Sequence, residues 1–241
     1  MFNYPSVNSK ALLLPSILPD MAWLEAFLRA DEILILDNQL FSRKSRVHRG
    51  KIRTPESTQW IHIPIHNNDK KLRLRDCRID NNQNWFTPLW RSIEFNYRNS
   101  IYFDFYEAEI KNDLLELRQI DLFIDGYAFF VNKLFDYLEI DGITGQNRTL
   151  THKSTSVTTL DKDFTLAGLF QDGTSKSNTG SLIMEYDSKN YLNQAVPSDT
   201  FYRLPEYRQH FGGFEPNCCL IDLLFEMGPN TWAVLDTLFD S

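Results

Sequence analysis

The sequence predicts an α/β protein: a small Rossmann-like parallel sheet with a β-hairpin extension and packed helices. Three observations carry that reading. Two short apolar runs, Lys10–Leu14 (KALLL) and Glu32–Leu36 (EILIL), flank one amphipathic segment, the order of a βαβ unit. A strand-like alternation follows at Gln59–Ile65 (QWIHIPI). From Trp85 onward the apolar period lengthens to that of helices.

The first strand runs into a proline-punctuated loop, PSILP (residues 15–19). Asp20 then caps a helix from Met21 to about Arg29, whose Trp23, Leu24, Phe27 and Leu28 share one face. Asp37 and Asn38 end the second strand. Ligands of open parallel sheets bind outside the carboxyl ends of the strands, so PSILP and Asp37–Asn38 are expected at the same, ligand-facing end.

Phe41–Arg53 (FSRKSRVHRGKIR) reverses the local charge, with Arg43, Lys44, Arg46, Arg49, Lys51 and Arg53 around His48. Two readings stand open: a solvated loop and hairpin, or an anion clamp in which guanidinium forks hold phosphate or carboxylate. In QWIHIPI, Ile61, Ile63 and Ile65 form the buried face, Pro64 marks a sheet edge or strand end, and His62 is a partly exposed strand histidine. Leu72–Ile79 (LRLRDCRI) also alternates and is expected to pair nearby.

Trp85, Leu89, Ile93 and Tyr97 recur at helical steps, and Pro88 sits where a first turn tolerates it. Further helices are expected over Tyr106–Leu117 and Ile120–Leu138, the latter with a core stripe of Phe123, Tyr127, Phe130, Leu134 and Leu138. Asp104, Glu107 and Glu109 suit a helix N-terminus better than acid–base work. Thr144–Thr159 and residues 171–181 read as polar or loop segments, between short apolar pieces at Phe164–Phe170 and Leu182–Tyr186. Asn217 is expected to cap a helix through Met227, stopped by Gly228 and Pro229, before a last helix at Thr231–Phe239. The expected division is an α/β domain with a helical layer at 1–145 and a smaller lobe at 146–241 ending in two helices, or one continuous domain.

Length and composition bound the function. The 241 residues are 42% hydrophobic and 14% aromatic, enough for a large core, and no repeat or low-complexity tract points to a solenoid, fibre or disordered tail. A net charge of −7 argues against general binding of nucleic acid or an anionic membrane surface. The run Ala11–Leu14 is too short for a signal core, and nothing reaches the roughly 20 apolar residues of a membrane span. A cytoplasmic protein that is not integral to a membrane is therefore expected. Cys77, Cys218 and Cys219 read as packed, reduced thiols, with no CxxC spacing and no metal expected. The sequence has no G-x-G-x-x-G, Walker loop, G-x-S-x-G or H-E-x-x-H signature, and no cofactor is expected.

Five pieces in order, LLLPSILP, ADEILILDNQLFSRKSRVHRGKI, QWIHIPI, NWFTPLWRSIEFNYRNSIYF and EYRQHFGGFEPNCCLIDLLFEMGP, together resemble the WbqC-like family. The resemblance covers roughly two thirds of the chain and is weakest between about 150 and 200. That family is associated with bacterial O-antigen and other surface-polysaccharide gene clusters. The resemblance implies a transferase that moves glycine, or a similar aminoacyl or acyl unit, to a nucleotide-linked or lipid-linked amino sugar.

The matching polar positions are Asp37, Arg49, Tyr207, Gln209 and Asp222. In the implied site Asp37 is the base or amine-orienting group, and Arg43, Arg49 and His48 hold phosphate. Tyr207 and Gln209 bond the sugar. Asp222 supports them, or is a helix-face carboxylate paired with an arginine. Leu14 and Leu40 stand where the family usually has Gln, Pro88 and Leu89 where it often has Lys-His, and Gly50 where it often has Asn. Those replacements motivate an alternative, an accessory protein of the same pathway that binds sugar or nucleotide without turnover. Relation to adenylyl-transferring synthetases is fold analogy alone, since their H-x-G-H histidines are missing.

Overall fold

Apolar β-branched and leucine-rich runs form the centre of the sheet, as their sequence requires. Lys10–Leu13 (β1) and Glu32–Ile35 (β2) pair in parallel, Lys10 opposite Glu32 and Leu13 opposite Ile35. The computed structural model describes residues 10–29, 32–140, 183–186 and 205–238. The helix joining the two strands, α1 (Met21–Arg29), starts where Asp20 Oδ1 accepts the Trp23 amide at 3.0 Å, as the capping argument requires. Its Trp23, Leu24, Phe27 and Leu28 are all buried.

Arg49–Arg53 (β3) and Thr58–His62 (β4) form an antiparallel hairpin, with Lys51 opposite Trp60 and Arg49 opposite His62. The helical layer follows: α2 (Phe86–Tyr97), α3 (Phe103–Leu117) and α4 (Phe123–Tyr137). A strand from far along the chain, β5 (Ile183–Tyr186), lies parallel to β1 on its other side, giving the order β2-β1-β5. Leu220–Met227 (α5) and Thr231–Asp236 (α6) close the described chain. Every residue of α5 from Leu220 to Glu226 is buried, so this helix is apolar nearly all round and lies inside the core.

The Trp85, Leu89, Ile93 and Tyr97 stripe and the Phe123–Leu138 stripe are both buried in one cluster with α1 and α5. Stacked Trp23 and Phe27 (5.4 Å) and edge-on Phe27 and Phe135 (4.8 Å) tie α1 to α4.

Three expectations need correction. Leu72–Ile79 is not a strand: Leu74–Asp76 turns as a 3-10 helix, and only isolated bridges join Arg73 to Leu40 and Ile79 to Ile65. The reason is Asp69, a buried carboxylate that accepts the Arg78 amide (3.0 Å), Nε (2.9 Å) and Nη2 (3.1 Å) and so folds the segment back on itself. The helix expected from Ile120 begins at Phe123, because Asp121 O accepts the Ile79 amide and Leu122 bridges Arg78, holding that stretch extended. Asn217 does not cap α5. It takes a positive φ of 69°, and Cys219 occupies the N-cap position. Thr144–Thr159, Phe164–Phe170, residues 171–181 and the expected boundary near 145 lie outside the described residues.

Candidate functional site

The loops after β1 and β2 sit at the same end of the sheet, where the Leu36 amide donates to Leu13 O at 2.8 Å. Trp23 Nε1 donates to Leu14 O (2.9 Å) and pins the start of the PSILP loop. The basic stretch is tied to that loop: the Ile17 amide donates to Val47 O at 2.9 Å, and Ser16 Oγ donates to Arg46 O at 3.3 Å. Arg46 also forms an ion pair with the capping residue Asp20. Residues 37–41 run beside 72–75, the Arg75 amide donating to Asp37 O and the Leu74 amide to Gln39 O, each at 2.9 Å. Arg73 Nη1 reaches Asn38 O at 3.1 Å. The Phe41 ring meets the His48 ring at 5.0 Å. Segments far apart in sequence therefore converge, and half-buried Asp37 lies among them.

Within the basic stretch the cations divide. Arg43 and Lys44 are exposed, and their side chains make no bond among the described residues. Arg49 is already engaged, donating from Nε to Ser45 O (3.1 Å) and from Nη2 to Lys44 O (2.6 Å). Its guanidinium also lies 4.3 Å from the centroid of Trp60. Burial and the neighbouring Arg49, His62 and Lys70 hold His48 down to about 4, so its imidazole is neutral at neutral pH. Its Nδ1 is buried without a hydrogen bond among the described residues. Arg53, which the sequence groups with these cations, is buried and donates to the carbonyls of Ser57 (2.8 Å) and Gly212 (2.6 Å).

Tyr207, Gln209 and Asp222 come together, inside the protein. Asp222 on α5 is fully buried and accepts hydrogen bonds from Tyr207 Oη (2.5 Å), Tyr97 Oη (2.5 Å) and Gln209 Nε2 (2.9 Å). Its partners are these neutral donors rather than an arginine, which corrects the pairing expected for it. The Arg53 amide donates to Tyr97 Oη at 2.8 Å, so the knot extends to β3. Gln209 completes its valences with Glu215, accepting the amide at 2.9 Å and donating to the carbonyl at 3.2 Å. Burial raises the Asp222 carboxyl above the ordinary range against the pull of those three donors. The same burial, with the Asp222 charge, pushes both tyrosines well up.

One helical turn on, Glu226 forms a second buried cluster. Ser100 Oγ donates to its Oε1 at 2.9 Å, and His210 Nδ1 contacts the same oxygen. Ser100 Oγ is also 3.1 Å from His210 Nδ1. A hydrolytic triad needs serine and acid on opposite imidazole nitrogens, and here they share one. This cluster is packing chemistry. The three cysteines are likewise buried and free, with Cys77 raised to about 11 and Cys219 to about 12 by burial, so none is a thiolate at neutral pH. No group of three or more metal-ligating side chains occurs among the described residues. His62 and His66 are four residues apart, but along extended chain that spacing is about 13 Å, too far for one ion.

Hollows among the described residues include two beside α2. The larger, about 740 Å³, lies at the α2–α3 elbow beside Phe95, Arg98 and Asp104. The smaller, about 310 Å³, lies between β4 and the start of α2, beside Trp60, His62, Gln83 and Asn84.

Sequence reasoning did not single out Tyr97, Ser100, His210 or Glu226 for polar roles. Tyr97 reads only as the last member of an apolar stripe, and its partner Asp222 is 125 residues away. Trp60 was visible only as an alternating strand residue.

This is a mixed helix-and-strand protein with a cationic loop system packed over the ends of two parallel strands. Residues 15–234 match the WbqC-like protein family, and the chain belongs to that family. The chain is similar to "Uncharacterized protein Rv1507c" of Mycobacterium tuberculosis (strain ATCC 25618 / H37Rv), 25% identical over 239 residues covering 90% of this chain and 93% of the relative. No solved structure matches the chain. No helix among the described residues is long and apolar enough to cross a membrane.

Proposed function

We propose that the protein transfers a glycyl or similar acyl unit to the amino group of a nucleotide-linked or lipid-linked amino sugar, in the cytoplasm, during surface-polysaccharide synthesis. The three parallel strands are read as the core of a small Rossmann-like sheet, with the reaction outside their carboxyl ends. The observation that carries the reading is the basic stretch bonded over the PSILP loop, with Arg43 and Lys44 exposed and making no side-chain bond among the described residues. In the transfer, the sugar amine attacks the acyl carbonyl, its proton passes to Asp37, and the leaving group departs from that carbonyl. Arg43 and Lys44 hold the phosphate of substrate or carrier, and Arg49, fixed by its carbonyl bonds, shapes the loop. Tyr207 and Gln209, bonded to Asp222, act as positioning residues that set the 207–215 segment rather than as sugar ligands.

Purified protein, a nucleotide-linked amino sugar and an activated glycyl donor should yield an N-acylated sugar by mass spectrometry. Asp37→Asn should lower that yield at least tenfold, and a double Arg43→Ala, Lys44→Ala variant should raise KM for the phosphorylated substrate. Absence of product with every donor and acceptor pair tried, in cells as in vitro, defeats the reading.

The accessory reading has its own support. Leu89 is a buried core residue, and a Cβ on Gly50 would lie 2.8 Å from Leu18 Cβ and 3.0 Å from Cys219 Cβ. Both departures from the family pattern are thus absorbed by packing. Tight sugar binding without turnover, unchanged by restoring Leu14→Gln and Leu40→Gln, would favour it.

A further inference from the structure

We propose that the edge of β4, unpaired among the described residues, is a binding groove for a single sugar ring bearing a phosphate or similar anionic substituent. The inference rests on the transferase reading only in taking that sugar for the acceptor.

The backbone pattern opens the groove. The Ile63 amide donates to His48 O (2.8 Å) and the Thr54 amide to Ser57 O (2.9 Å), which fixes the alternation of the hairpin ladder. Gly50–Ile61 and Ile52–Gln59 are then the bonded pairs, and the amides and carbonyls of Trp60 and His62 point away from β3. Just beyond, the chain does pair on that outer side, where the Asp80 amide donates to Pro64 O (2.8 Å) and the His66 amide to Arg78 O (3.0 Å). Past Asp80 that neighbour leaves the edge, turned aside by the bonds from the Asn81 amide to Ile79 O and the Gln83 amide to Asp80 O. The 310 Å³ hollow is the place the departing segment leaves open.

Its lining specifies the ligand. Trp60 is 39% exposed and Pro88 is exposed, giving apolar faces for the C–H side of a ring. Around them stand polar groups with bonding capacity left over among the described residues. Besides the two backbone amide–carbonyl sets, Gln83 donates to Asp80, which leaves its Oε1 free to accept. Asn84 accepts from Thr87, which leaves its Nδ2 free to donate. An apolar ligand would strand these groups without water, so the occupant must carry hydroxyls. The charge is set by Arg49 (4.3 Å) and Lys51 (5.4 Å) about the Trp60 ring, directly across the ladder from His62 and Trp60, whereas Arg46 (5.3 Å) is already paired with Asp20. A neutral sugar leaves that field unanswered, and an anionic substituent answers it. The volume is near the lower bound of small-molecule sites, roughly 300 Å³, and suits one ring.

Titration calorimetry with N-acetylglucosamine 1-phosphate, glucose 1-phosphate, galactose 1-phosphate, N-acetylglucosamine and inorganic phosphate tests the proposal. At least one sugar phosphate should bind, more tightly than either the sugar or phosphate alone by tenfold or more. Trp60→Ala and Gln83→Ala should each weaken that binding at least tenfold, with unchanged circular dichroism and melting within a few degrees of the parent. No binding by any sugar phosphate overturns the proposal, as does equal binding of inorganic phosphate or indifference to both variants. If transfer is observed and Trp60→Ala leaves KM for the sugar unchanged, the groove falls and the transferase stands. If the groove binds sugar phosphate but no transfer occurs, the transferase falls and the groove stands.

Discussion

The β3–β4 hairpin separates two polar regions that treat their charges in opposite ways. On the inner side, Asp222 takes up Tyr97, Tyr207 and Gln209, and the Arg53 amide closes on Tyr97, so every principal donor finds its acceptor away from water. On the outer side, Arg46, Arg49 and Lys51 crowd Trp60, and the exposed Arg43 and Lys44 make no side-chain bond among the described residues. A buried network must satisfy itself because each unmet group costs about 1–3 kcal/mol, whereas a solvated one can keep donors in reserve for a ligand. The inner region thus holds the fold together, and the outer one is the proposed place of recognition.

The largest expected effect tests the inner half. Asp222→Ala removes the acceptor of three buried donors and should lower unfolding free energy by about 3–5 kcal/mol, read from urea denaturation. Asp222→Asn keeps one acceptor and should cost roughly half as much. If Asp222→Ala is nearly neutral for stability yet abolishes transfer, the division between the regions is wrong.

His48, partly buried beside Phe41 at the start of the hairpin, makes stability depend on pH. The unfolded imidazole takes its proton near 6.5 and the folded one near about 4, so on acidification the unfolded state gains protons first. Stability should therefore be full above pH 6.5 and fall by about 2–3 kcal/mol as pH drops toward 4. Comparing His48→Gln with the parent across that range isolates its share, since other groups titrate in both proteins. A constant difference between the two curves would mean that His48 is solvated and free to protonate.

Gly50 sits on the inner face of β3, where the strand meets the PSILP loop and the start of α5. A Cβ there would lie 2.8 Å from Leu18 Cβ and 3.1 Å from Leu18 O. Gly50→Ala should cost about 1–3 kcal/mol through overpacking, and Gly50→Asn more. Thermal denaturation of the two variants ranks them. A stable Gly50→Asn protein would show that the loop can withdraw to admit the family's usual residue.

Much of the scaffold was legible because its signals are local. Asp20 caps α1 where a carboxylate precedes an apolar period, and the Trp85–Tyr97 stripe forms α2 because one face alone is apolar. The strand reading of Leu72–Ile79 failed because alternation describes side-chain burial and is blind to Asp69, whose three bonds with Arg78 turn the chain. The site was legible only in part. The matching positions Tyr207, Gln209 and Asp222 do meet, yet nothing in the sequence says that they meet in the core, because their burial depends on Tyr97 and β3 far away along the chain. The open edge at Trp60 was illegible for a related reason. It is created by the departure of residues 81–84, which no period or composition marks.

The smallest stability effects belong to the outer region, and they are the sharpest test of the comparison. Arg43→Ala should change unfolding free energy by less than about 0.5 kcal/mol, since the side chain is exposed and makes no bond among the described residues. Trp60→Ala loses three cation–π contacts at an exposed site, each worth about 0.5–1 kcal/mol in isolation. Arg46 is paired with Asp20, but Arg49 and Lys51 at one ring repel each other, so the contacts oppose a cost that these cations impose on one another. The net loss on Trp60→Ala should then stay below about 1 kcal/mol. A loss of 2 kcal/mol or more in denaturation would place Trp60 among the structural residues, as a pillar that organises the hairpin. A small loss joined to weakened sugar-phosphate binding would mean that Arg49 and Lys51 are held in mutual repulsion around an indole, a strained arrangement that an incoming anion relieves.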